Sequence, residues 1–317
     1  MVNRREFLMA TAAAGVMAAV KAEPQAPMFK TQLKKSLIRK RFTDEVLAEL
    51  KAAKFPGVEL SDKTVDLATA RAARQLAEAD GFKIHSFMGG WYEFNSTDAA
   101  KRKIVIETAK RDICVAEAYG APVMLVVAGR VGGPMPKPSQ FDLDFDPQTL
   151  VLKRAAKTGD FAAYVKAQND ATKYAQDAIQ ELMPVAAAHG VVLGLENVWN
   201  NLWVKPAFAS AFIRSFRSPW VKSYLDLGNH VRYAPVEEWL DALSDQLVKL
   251  HIKDFKLDRS LPNEGRFVRL GEGSIDWKSV RRAIERVGYH GWVSIEEGGW
   301  SSAEYSKIMD RFFAGMF

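Results

Sequence analysis

The sequence predicts an α/β protein: a single-domain (β/α)8 TIM barrel with one long loop after its fourth strand. Three observations carry that expectation. Short, continuously apolar segments alternate with amphipathic helical patterns along the 317 residues, which implies parallel strands joined by crossover helices. Glycine closes helical patterns at "EADG", "EAYG", "AAHG" and "ERVG", where a left-handed residue after the last turn is favoured. No glycine-rich phosphate turn follows the first strand, which disfavours a doubly wound open sheet. Eight strand–helix units then close a barrel.

The units run in order. "FKTQLKKSLI" precedes the helical "TDEVLAELKAAKF", "GVELS" precedes "KTVDLATARAARQLAEADG", and "FKIHSFMGG" precedes "AAKRKIVIETAKRDICVAEAYG". "APVMLVVAGR" leads into a long helix from about Tyr164 to His189. The second half pairs "VVLGLENVW" with "KPAFASAFIRSF", "VKSYLDLGNHV" with "PVEEWLDALSDQ", and "LVKLHIKDF" with "DWKSVRRAIERVG". "GWVSIEEGG" and "SAEYSKIMDRFFAGMF" close the series. Apolar residues recur at i, i+3 and i+4 in the helices, and the strands are short apolar runs. Between Gly129 and about Ala163 the rhythm breaks into a Gly-, Pro- and Asp-rich stretch. A loop of that length in a barrel is expected to be a lid, a binding loop or an interface arm.

Composition narrows the class. With 48% hydrophobic and 26% charged residues the chain is long enough for one large core. The net charge of +6 is spread out, without a basic run interleaved with aromatics, so no nucleic-acid partner is expected. "NRREFLMATAAAGVMAAVKA" carries paired Arg4 and Arg5 before a modest apolar stretch ending in small residues. That is the layout of a twin-arginine export signal over residues 1–22, leaving residues 23–317 as the barrel. The apolar run is shorter than the roughly 20 residues a membrane span needs. The expectation is a partner in the export machinery, a periplasmic location and no membrane span in the mature protein. Cys114, the single cysteine, cannot form an internal disulfide, so stability must come from a core. A homo-oligomer is left open.

The ends of the strands carry the chemistry, because a barrel of this kind places its active site there. Strand five ends in Glu196, strand six in Asp226, strand seven in His251 and strand eight in Glu296. A carboxylate ending an apolar strand is costly unless paired or metal-bound, and three converging carboxylates call for a cation. Three oxygens and one imidazole suit Mn²⁺ foremost, with Mg²⁺, Co²⁺ and Zn²⁺ also admitted. Glu59 and His85, read as the ends of strands two and three, are candidates for binding substrate. So are Asp254, Trp199 and Arg269 at the rim, with Trp91, Trp203 and Trp300 as further aromatic faces. Lys253 is placed to neutralise the cluster. His189 and His290 fall in helix-to-strand turns on the opposite face and receive no role.

The segments "GLENVW", "LDLGNH", "HIKD", "LGEGSIDW" and "YHGWVSIEE" resemble the sugar phosphate isomerase/epimerase superfamily of xylose isomerase-like barrels. The resemblance spans essentially the whole chain after the signal. It implies metal ligation by Glu196, Asp226, His251 and Glu296, with Glu196 and Glu296 as the acid/base pair. Epimerases of that superfamily place a histidine three residues after the aspartate. Here Asn229 stands there and His230 follows, so both are substrate-contact candidates. Glu297 competes with Glu296, but strand alternation is expected to turn it to the other face.

The implied reaction is proton abstraction beside a carbonyl of a keto-sugar or related polyol through a metal-stabilised enediolate. Isomerisation, epimerisation and elimination share that first step. Export favours a free or oxidised sugar, which brings in a lyase or hydratase acting on 3-keto-glycosides or inosose-like substrates. Five histidines, two on the far face, are too few for a three-zinc DNA-repair barrel. A non-catalytic carbohydrate-binding barrel is the remaining alternative.

Overall fold

The structure, a computed structural model, describes residues 29–317; the signal expected at residues 1–22 lies outside the described residues. Eight parallel strands form the barrel: β1 (Leu33–Arg39), β2 (Gly57–Leu60), β3 (Lys83–Trp91), β4 (Val123–Val127), β5 (Val192–Leu195), β6 (Val221–Asp226), β7 (Leu247–Ile252) and β8 (Gly291–Ile295). Each pairs with its sequence neighbours, and β1 pairs with β8 to close the ring. The outer layer consists of α1 (Asp44–Ala52), α2 (Leu67–Ala79), α3 (Ala99–Ala118), α4 (Ala162–His189), α5 (Pro206–Ser215), α6 (Val236–Leu243), α7 (Trp277–Val287) and α8 (Ser302–Phe313). The expected (β/α)8 barrel is what forms.

The helices begin and end where side-chain chemistry dictates. Thr43, Asp66, Asp98, Asp276 and Ser301 each accept a first-turn backbone N–H, satisfying donors the helix cannot. Gly190 after α4 and Gly288 after α7 take φ of 64° and 68°, the left-handed stop that favours glycine. Leu50, Ile113, Leu182, Phe212, Leu240 and Ile284 come from six different helices and are all buried in one core. Each such side chain contributes about 1.5–3 kcal/mol of burial.

The barrel axis is different. Ser36, Glu59, Ser86, Tyr224, Lys249, His251 and Ser294 are all buried there, so much of the interior is a hydrogen-bonded polar column. Two register shifts shape it. β3 gains a residue against β2 at His85 and another against β4 at Gly89, and such bulges redirect side chains.

The stretch between β4 and α4 is folded down and tied. Its ribbon, Asp144–Phe145 with Leu152–Arg154, stacks Phe145 on Phe208 of α5 at 4.3 Å. Asn169 of α4 exchanges two hydrogen bonds with the Leu152 backbone. Ser139 donates through its backbone N–H and its hydroxyl to the Glu264 carboxylate at 2.7 and 2.6 Å. Glu264 lies in the turn of a second ribbon, unexpected from the sequence, in which Asp254–Leu257 pairs with Gly265–Val268 after β7. Among the described residues no helix is long and apolar enough to cross a membrane.

Candidate metal centre

Glu196, Asp226, His251 and Glu296 converge, each offering one ligand atom within 4.8 Å of the others. The backbone register produces this convergence. Asp226 lies opposite His251 across the β6–β7 pair. Glu196 follows β5 with its N–H on the Val126 carbonyl, and Glu296 follows β8 with its N–H on Ile252. Asp226 and His251 are fully buried, Glu196 nearly so, while the Glu296 side chain is 32% exposed and faces the opening.

The charges strain against one another. Burial, then Glu296 and Asp226, pushes Glu196 up to about 8. Burial likewise raises Asp226 to about 7, with Lys253 opposing and Glu296 adding to the rise. Glu296 moves the other way: burial resists, but His251 and Lys253 hold it well below the usual carboxylate range. The Lys253 ammonium lies 3.1 Å from Asp226 Oδ2 and 2.7 Å from Glu296 Oε2. Burial opposes its charge, and these carboxylates raise it nonetheless. Gly228 makes that approach feasible, since a Cβ there would stand 2.5 Å from both the Lys253 Cγ and its carbonyl oxygen.

A divalent cation fits this cluster. His251 Nδ1 is buried without a hydrogen-bond partner among the described residues, a costly state that ligation relieves. The upward shifts of Glu196 and Asp226 show carboxylates that repel one another when ionised, a repulsion a cation would offset, and the O₃N donor set suits a hard cation.

Asn229 supports the cluster from the one-turn helix Leu227–His230. Its Nδ2 donates to Glu196 Oε1 at 3.0 Å and its backbone N–H to Asp226 Oδ1 at 2.7 Å. Trp199 donates through Nε1 to the Asn229 carbonyl and stacks on Phe267 at 5.1 Å. Phe267, 44% exposed, forms with Lys253, Arg269, Glu296 and Glu297 the wall of a cleft of about 490 Å³ beside the cluster. The Arg269 guanidinium lies 5.7 Å from the Trp300 ring centre.

Several expectations are corrected by geometry. His85 does not end β3, which continues to Trp91. It is buried in the barrel axis, with Nε2 on Ser36, Nδ1 near Lys249 Nζ at 2.8 Å, and its ring on Trp292 at 4.2 Å. Glu59 is also turned inward, against His251 and Tyr224. His230 bonds the Asp226 carbonyl through Nδ1 and packs edge-on against Trp239; burial lowers it to about 4. Asp254 is buried as the anchor of the following loop, accepting from Gly271 N, Gly273 N and Trp277 Nε1. Glu297 shares the cleft with Glu296, because β8 ends at Ile295 and strand alternation no longer governs the two. Trp203 is core, stacked on Phe212 at 3.7 Å, whereas Trp91 is 47% exposed beside Arg130. Phe267 escaped the sequence reading; the alternation in "GRFV" was its only signal. Lys249 and Tyr224 were missed too, although a lysine inside the apolar "LVKLHI" is such a signal.

The sequence profile of the family described as xylose isomerase-like TIM barrel matches residues 47–310. The chain belongs to that family. Among solved structures, a D-tagatose 3-epimerase-like protein superposes with TM-score 0.68 at 16% identity, covering 89% of this chain and 98% of its own. The 3-keto-D-glucoside 4-epimerase of E. coli gives 0.61 at 16%, covering 89% and 99%. A xylose isomerase-like barrel from Mycobacterium smegmatis, in complex with magnesium, gives 0.57 at 17%, covering 91% and 98%. At these identities the likeness establishes the fold. Among curated proteins none matches the sequence.

Proposed function

We propose that this xylose isomerase-like barrel is a divalent-metal-dependent sugar isomerase or epimerase that removes a proton beside the carbonyl of a keto-sugar or related polyol. The observation that carries the reading is the pair Glu196 and Glu296, two carboxylates on one cluster with a histidine and a third carboxylate. Epimerases among the structural relatives support it. Glu196, Asp226, His251 and Glu296 would hold the ion, with Mn²⁺ first and Mg²⁺ next. When bound, the ion polarises a carbonyl and an adjacent hydroxyl, acidifying the C–H between them.

The protein's own groups do the rest. Glu296, partly open to the cleft, takes or returns the proton from one side, and Glu196, held by Asn229, serves the other. Lys253 keeps Glu296 ionised and oriented. The exposed edge of Phe267, backed by Trp199, offers an aromatic face for the apolar side of a sugar. Arg269 meets polar substituents farther along the cleft. An exported, periplasmic location belongs to the same proposal.

A lyase or hydratase on 3-keto-glycosides is the second reading. It is favoured by Glu297, which burial raises to about 7 and which lines the cleft beyond Glu296, where it can protonate a departing oxygen. The test is Mn²⁺-loaded protein in D₂O with a panel of ketoses and 3-keto-glycosides, followed by NMR and mass spectrometry. Deuterium should enter beside the carbonyl, and Glu296→Gln should slow that by about 10²–10⁴-fold. Undiminished exchange in Glu296→Gln sinks the acid/base assignment, and failure to retain any divalent metal sinks the central reading.

A further inference from the structure

We infer that Glu59, from the opposite half of the barrel, is a positioning residue for metal capture. By accepting from His251 Nε2 it fixes the imidazole in the form whose Nδ1 lone pair faces the carboxylates. This deepens the metal reading above and rests on it.

The geometry is specific. Glu59 Oε2 lies 2.9 Å from His251 Nε2 and accepts the Tyr224 hydroxyl at 2.6 Å. His251 Nδ1, on the other edge of the ring, is buried without a partner among the described residues and stands 3.5 Å from Glu296 Oε2. Nε2 is thus taken by Glu59, while Nδ1 points at the Glu296 carboxylate on the cluster side. Glu59, Tyr224 and His251 are all buried, so water does not compete for these bonds. Tyr224 packs its ring edge-on against the imidazole at 4.6 Å while its hydroxyl holds the carboxylate, so ring and acceptor are fixed by one side chain. A ligating imidazole needs its other N–H on an acceptor, which sets the tautomer and raises the basicity of the free nitrogen. Glu59 supplies a charged acceptor from β2, a strand that does not touch β7.

The alternative is that Glu59 and His251 form a buried pair that matters only to folding. Co²⁺ titration of the whole protein separates the two, read by visible absorption and by competition with a chelator of known affinity. Glu59→Gln keeps the size and an acceptor oxygen but removes the charge, and should weaken Co²⁺ binding about 10–100-fold and shift the visible bands. Tyr224→Phe, which frees Glu59 on one side, should move both readouts in the same direction by less, and it serves if Glu59→Gln does not fold. Asn169→Ala, on α4 against the Leu152 backbone and outside this cluster, should leave the spectrum unchanged. Uptake by the wild type with unchanged affinity and bands in both variants overturns this proposal alone. No Co²⁺ uptake by the wild type overturns the metal reading and this proposal with it.

Discussion

Replacing Lys253 with methionine keeps most of the aliphatic stem and removes the ammonium that touches both Asp226 and Glu296. The Lys253 side chain is only 13% exposed and Asp226 is fully buried, so water replaces little of the lost interaction. Deleting one member of such a buried pair costs about 3–5 kcal/mol, and the cost should depend on pH. The folded values of Glu196 and Asp226, about 8 and about 7, lie above their ordinary 4.5 and 3.8. Both are raised, so each supports the metal-free fold below its ordinary value and withdraws that support as pH rises through 7–8. Lys253 offsets the charge that appears in this window. Metal-free Lys253→Met should therefore unfold about 3 kcal/mol more easily than the wild type at pH 8.5, and by less than half that at pH 5.5. Urea titrations followed by circular dichroism at both pH values measure the difference. Mn²⁺ at a hundred times its dissociation constant adds about 2.7 kcal/mol to any protein that binds it only when folded. The variant should gain more than the wild type at equal metal concentration, since the ion meets no competing ammonium. An equal deficit at both pH values, with no extra rescue by metal, would refute the electrostatic account and leave only packing of the lysine stem.

Three further substitutions probe the same architecture. Gly228→Ala forces a methyl against the Lys253 backbone and should cost about 1–3 kcal/mol by thermal unfolding, with a weaker metal affinity by calorimetry. Asn229→Leu removes the donor on Glu196 and should reduce metal affinity about 10–100-fold while far-UV circular dichroism stays unchanged. Gly273→Ala drives a Cβ into the Asp254 carboxylate. It should loosen the loop that carries Arg269, raising KM more than it lowers kcat and increasing amide exchange at Gly271.

The barrel is legible because each strand is an apolar run and each helix keeps its period, and four carboxylate or imidazole groups interrupt those runs at matching places. The ligand cluster is legible for the same reason. Direction within the barrel is less so. His85 and Glu59 stand in apolar strands like the ligands, but the bulge at His85 decides which way the neighbouring side chains turn. No composition rule marks that bulge. "FKIHSFMGGW" has no breaker after His85, so the true strand end, six residues on, is hidden. Asp254 follows the same pattern. Whether a carboxylate meets a substrate or three loop donors depends on a chain that returns seventeen to twenty-three residues later. The second ribbon went unseen because its two halves are separated by a polar turn and only four residues long each.

The contact between Glu59 and His251 joins residues 192 positions apart, across the barrel rather than along its wall. The four clustered residues all follow β4, within about the last two-fifths of the chain, and can come together once β5 to β8 have formed. The histidine's orienting partner cannot be present until the first strands have come round to meet the last. On the proposed reading, full metal affinity would come late in folding, and a titration with metal would report ring closure more directly than a probe of secondary structure.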